Sequence, residues 1–146
     1  MTGQKKLLMA LIGLTLLLIA LVGQSKIETA QTGSRCTFHQ IDGFEQSNRL
    51  RDSSCKRAIE LHGRGVLDHK LENGKDFSAT IRVNLFSLIV GENLARDFDT
   101  IEGVMQAWMD SPPHRENLEN PKYKKYGLAE YNGYYVLHLS DKWNND

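Results

Sequence analysis

Gly91-Glu92-Asn93-Leu94-Ala95 follows the apolar run Leu85-Phe86-Ser87-Leu88-Ile89-Val90 and precedes a patterned helix that starts near Asp99. A glutamate set between glycine and asparagine, directly after such a run, is not placed like an ordinary solvated charge. Glycine permits a tight backbone turn, and asparagine can fold its side chain onto nearby backbone. Glu92 is therefore expected to be fixed in direction near the edge of the core. The plainer alternative is a residue that only braces the turn before the next helix.

Downstream, Asp99-Thr100-Ile101-Glu102 offers an N-cap and a glutamate three residues later, a capping-box arrangement. Ile101, Val104, Met105 and Trp108 then recur at helical spacing. Pro112-Pro113 ends this helix and opens a short helical turn carrying His114 and Asn117. Two strands, Tyr126–Tyr131 and Tyr134–Ser140, flank Asn132-Gly133, the strongest short hairpin signal. In the second strand Tyr135, Leu137 and Leu139 take one face, and Tyr134, Val136 and His138 the other.

Upstream, a helix is expected from Ser47 to Arg64. Leu50, Ser54, Ala58 and Leu61 share one stripe, with Cys55, Ile59 and His62 beside it. Asp52, Lys56, Arg57, Glu60 and Arg64 fall on the opposite face, and Gly65 is the stop. Beyond it come Val66-Leu67-Asp68-His69, a polar turn at Glu72–Lys75, a short helix over Phe77–Val83 and a buried strand or extended segment over Leu85–Val90. Helix, extended segment, helix and hairpin in that order make an α+β layer fold.

The chain has 146 residues, room for one domain. Lys5 and Lys6 precede the uncharged run Leu7–Val22 and then Gly23, the layout of a secretory signal. Leu21-Val22-Gly23 is a mediocre cleavage site, so an uncleaved N-terminal anchor is the alternative, and in either case the rest is exported. Residues 1–23 are thus read as signal or anchor, 24–46 as a polar arm and 47–141 as the domain. Without Met1–Gly23, 16 basic residues face 18 acidic ones. No basic stripe suits nucleic acid, and membrane contact is expected only through the N-terminal segment. Cys36 and Cys55 are the only cysteines, and in an exported chain an even count favours a disulfide. The other reading makes Cys55 a small core residue and Cys36 a thiol of the arm.

Of five histidines, His39 is expected to be solvated in the arm, His62 to line the core or a cavity, and His138 to be a satisfied sheet residue. His69 and His114 follow the ends of elements, where functional side chains tend to sit. Two imidazoles and a carboxylate suffice for zinc with an open position, or form a hydrogen-bonded cluster in a cleft. There is no His-Glu-x-x-His pair and no Gly-x-Ser-x-Gly elbow.

Gly91-Glu92-Asn93-Leu94-Ala95, then Ala107-Trp108-Met109-Asp110-Ser111-Pro112-Pro113-His114-Arg115-Glu116-Asn117-Leu118, then Asn120-Pro121-Lys122-Tyr123 and a glycine hairpin resemble the bacterial branch of the CAP superfamily of cysteine-rich secretory, antigen-five and pathogenesis-related proteins. The resemblance runs from about Leu50 to Ser140. It implies a three-layer α–β–α sandwich with a small antiparallel sheet, here lacking the family's first helix, with the Cys36 arm covering the core that helix would cover. It also implies a cleft of His69, Glu92, His114 and Asn117. The animal and plant branches have a Gly-His-Tyr hairpin where Gly133-Tyr134-Tyr135 stands, so one cleft histidine is absent. The expected function is non-enzymatic binding of a lipid, an envelope component or a protein partner. The alternative is a hydrolase dependent on zinc or another divalent metal held by His69, Glu92 and His114.

Overall fold

The computed structural model describes residues 35–79, 81 and 89–141. The signal or anchor expected over Met1–Gly23 lies outside them, as do Thr80, Arg82 and Val83 of the helix expected over Phe77–Val83 and the apolar run Leu85–Leu88. Among the described residues eight elements follow in order: strands β1 (Thr37–Phe38) and β2 (Glu45–Gln46), helix α1 (Asn48–Arg64), strand β3 (Val90–Arg96), helices α2 (Ile101–Asp110) and α3 (Pro112–Glu119), and strands β4 (Lys125–Tyr131) and β5 (Tyr134–Ser140).

The hairpin is the frame. Asn132 and Gly133 both have positive φ, at 47° and 79°, which matches the twist of the flanking strands. β4 pairs with β5 and β5 with β3, both antiparallel. β1 and β2 share the outer edge of β4: Thr37 sits opposite Glu130, while Glu45 runs parallel beside Lys125. Every residue of β5 is buried, because helices cover both faces. Tyr135, Leu137 and Leu139 join Val104 and Trp108 of α2 in one core, and Tyr134 and Val136 join Ala58 and Leu61 of α1 in the other. The α–β–α layering and the face assignment of β5 stand.

Among the described residues no helix precedes α1. The stretch expected to be an arm supplies β1 and β2 instead, and Ile41 and Phe44 between them pack on the α2 side of the core. Cys36 is bonded to Cys55, which fastens this stretch to α1.

Helix ends follow their local chemistry. Ser47 caps α1 by accepting from Leu50 N, and Gly65 closes it in the left-handed region at φ 67°. The cap of α2 is Thr100, which accepts from Gly103 N. The expected capping box from Asp99 therefore does not form, since Glu102 stands one position too early. At Gly127 a Cβ would overlap the backbone of Leu50 and Arg51. Ser54 Oγ donates to the Gly127 carbonyl at 2.7 Å, pinning α1 to β4 at that contact.

The largest departure concerns Gly91-Glu92-Asn93. The segment is a strand and not a turn, and Asn93 does not fold onto its own backbone. Gly91 is required by a neighbour, since a Cβ there would come within 2.7 Å of the Tyr123 hydroxyl. An extended backbone sends Glu92 and Leu94 to one face and Asn93 and Ala95 to the other. That alternation decides what each residue meets.

Candidate functional site

Glu92 points toward α1, and its side chain is fully buried. A bare carboxylate there would be very costly, but each oxygen is taken. Oε1 lies 2.8 Å from His69 Nδ1. Oε2 lies 2.9 Å from His138 Nε2 and 3.3 Å from Arg57 Nε. His138, opposite Glu92 on β5, reaches on through Nδ1 to Ser53 Oγ at 3.1 Å. A continuous chain therefore runs from Ser53 through His138 and Glu92 to His69. Ser53 and Arg57 are four residues apart on α1 and so share a face.

Arg57 does more than neutralise Glu92. Its Nη1 donates to Glu60 at 2.9 Å, and its Nη2 donates to the carbonyls of Asp68 and Lys70. Arg64 Nη1 donates to the Lys70 carbonyl at 2.7 Å. These bonds strap down the segment that carries His69 after Gly65 has turned the chain. Phe77 lies 6.0 Å from the His69 ring and 6.1 Å from the His138 ring, and stacks on the latter. His69 remains 51% exposed. With Nδ1 committed to Glu92, its Nε2 is the remaining donor or acceptor.

Burial alone would raise the Glu92 pKa. The hydrogen bonds from His138 and His69, with the charge of Arg57, outweigh it and hold the value down to about 2. The hydrogen bond to Glu92 raises His69 above its ordinary value, against a smaller opposing effect of burial. His114 is lowered, first by burial and then by the charge of His69.

Asn93 points the other way, to α3. Its Nδ2 donates to the His114 carbonyl at 3.0 Å and its Oδ1 accepts from Asn117 at 2.8 Å. Asp97 N bonds Gly133 O and Asp141 N bonds Ile89 O, continuing the β3–β5 ladder, so odd-numbered residues bond across to β5. The carbonyls of Glu92 and Leu94 therefore face the free edge. Asn117 Nδ2 at 3.4 Å and Trp108 Nε1 at 3.0 Å take them. The His114 ring bonds Ser111 Oγ at 2.8 Å.

Glu92 and His69 are thus in direct contact, Asn117 holds the Glu92 backbone, and His114 stands across α3 with its ring bonded elsewhere. Of the three proposed metal ligands, His69 and Glu92 touch at 2.8 Å and the His114 ring bonds Ser111. Both Glu92 oxygens face protein donors, with a guanidinium beside one of them. Among the described residues no group of three or more His, Cys, Asp or Glu is arranged to hold a metal ion.

Arg57, Ser53, Asn93 and His138 were missed as site residues. Arg57, expected on the face opposite the apolar stripe of its helix, is buried. His138 is a satisfied sheet residue, as expected, but it is also the second imidazole on Glu92. The Glu92 face of β3 and the His138 face of β5 were the available signal, once the two strands are paired. Two other histidines differ from expectation. His62 is exposed, set edge-on to Tyr131 and Tyr134. His39 is not solvated: it is half-buried beside Tyr135, and its Nε2 is enclosed without a partner among the described residues.

Comparison with known proteins gives the geometry a setting. The model of the cysteine-rich secretory protein family, CAP, matches residues 39–138. YkwD of Bacillus subtilis is 29% identical over 81 residues, which are 55% of this chain and 32% of YkwD, so the chain spans about a third of that relative's length. An extracellular SCP-domain protein of Bacillus anthracis superposes with a TM-score of 0.64 at 19% identity, over 68% of this chain and 34% of that one. An outer surface protein of Borrelia burgdorferi superposes at 0.62 and 23% identity, over 70% of this chain and 80% of that one. These two likenesses concern the fold.

Proposed function

The chain belongs to the cysteine-rich secretory protein family, and we propose that it is an exported, non-enzymatic binding domain that meets an envelope component through the surface around His69 and His114. One observation carries this reading. Glu92, the carboxylate that a hydrolase would use as base or metal ligand, has both oxygens engaged by His69, His138 and Arg57. It acts as an internal strut that orients His69. Two and three residues before His69 in the chain are Leu67 and Val66, two exposed large apolar side chains. An apolar pair close in sequence to a hydrogen-bonding ring suits recognition of an amphipathic surface group. Export is supported by the disulfide, by the extracellular and outer-surface descriptions of the two structural neighbours, and by the character of Met1–Gly23.

Co-sedimentation of the purified protein with isolated cell envelopes tests the reading. The native protein is expected to sediment with envelopes, and His69→Ala to reduce binding at least tenfold with the fold intact. Equal sedimentation of the variant would overturn the assignment of the surface. Metal-dependent hydrolysis, with one zinc per chain, would overturn the non-enzymatic reading.

A further inference from the structure

A second surface shares no residue with the Glu92 cluster. Along α2, Val104 and Trp108 enter the core, while the neighbouring row Ile101, Met105 and Met109, spaced four residues apart, lines an open groove of about 680 Å³. Ile41 and Phe44, from the stretch between β1 and β2, and Leu118 of α3 line it as well. Five of these six apolar side chains also pack on the core beneath, so the floor is continuous with it. Met109 is among the exposed large apolar residues, and methionines adapt to varied apolar partners.

The rim has one sign. Asp42, Glu102 and Glu119 line the groove and are all exposed, Gln40 and Gln106 are neutral, and among the described residues no lysine or arginine lines it. An acidic rim over an apolar floor disfavours a fatty acid or anionic phospholipid, whose headgroup would meet like charge. It complements a segment whose apolar side chains enter the groove while lysines or arginines flank them. We infer that this groove is a docking site for a basic amphipathic peptide segment of a partner protein.

The probe is a synthetic amphipathic helix of leucine and lysine, compared with its leucine and glutamate counterpart. The readouts are fluorescence polarisation and the methyl resonances of Met105 and Met109. The lysine peptide is expected to shift both methyls, to bind at least tenfold more tightly than the glutamate peptide, and to weaken as salt rises. Reversing the rim with Glu102→Lys and Glu119→Lys should cost at least tenfold. Both positions are exposed, so the variant is expected to fold, and Met109→Glu provides an independent loss of binding. Equal affinity for the two peptides, unmoved methionine methyls, or full binding by the reversed rim would overturn the proposal. Palmitate shifting the same methyls more strongly than the lysine peptide would overturn it in favour of a lipid.

Discussion

Glu92 is buried with three polar partners on its carboxylate, His69, His138 and Arg57, and removing its charge tests the arrangement directly. Glu92→Gln keeps the shape but leaves Arg57 facing a neutral group. Breaking a buried ion pair from one side costs about 3–5 kcal/mol, measurable by chemical denaturation. The same change removes the carboxylate charge that favours the protonated His69, so the His69 ring should titrate at lower pH by NMR. An unmoved His69 would mean that the pair does not act as one site. Acid stability follows from the same groups. The Glu92 pKa is lowered from 4.5 to about 2, so its contribution is present above 4.5 and lost as pH falls toward 2. That contribution is about 3 kcal/mol. His69 has the opposite sign: its raised pKa stabilises below its unfolded value of 6.5 and is lost as pH rises through its higher folded value. Denaturation midpoints should therefore fall between pH 4.5 and 2 in the native protein, and much less steeply in Glu92→Gln.

At the level of elements, α1, α2 and the hairpin were legible because each carries redundant signals. Apolar spacing, Ser47 and Gly65 bound α1, and Asn132-Gly133 fixes the turn between β4 and β5. β1 and β2 were not legible, since two residues are too few for any periodicity, and only pairing with β4 makes them strands. β3 was misread because Gly91 and Asn93 are turn-formers by type. Tyr123 and α3, remote in sequence, are what those residues serve here. Half of the site was legible for a similar reason. Glu92, His69, His114 and Asn117 lie in recognisable stretches, but Arg57 reads as a surface charge until a buried carboxylate is placed opposite it. Two predictions belong here. Gly127→Ala would push a methyl into the α1 backbone and should cost about 3 kcal/mol, the upper end for overpacking, read from the urea midpoint. Reducing Cys36–Cys55, which are 19 residues apart, should cost about 3 kcal/mol, read the same way.

For the molecule as a whole, the proposed export makes a topological prediction: protease added to intact cells should digest the domain, and full protection would place it inside. The Cys36–Cys55 bond then acquires a meaning in time. A chain crossing a membrane N-terminus first delivers both cysteines early, whereas Thr37 must wait for Glu130, more than 90 residues later, before β1 has a strand to join. Contacts that close short loops form sooner than distant strand pairings. The bond can therefore tether the first strand to the first helix while the middle of the sheet is still being delivered. Oxidation would then come before sheet formation, and in a cell short of oxidant the first strand would stay untethered until β4 arrives to pair with it.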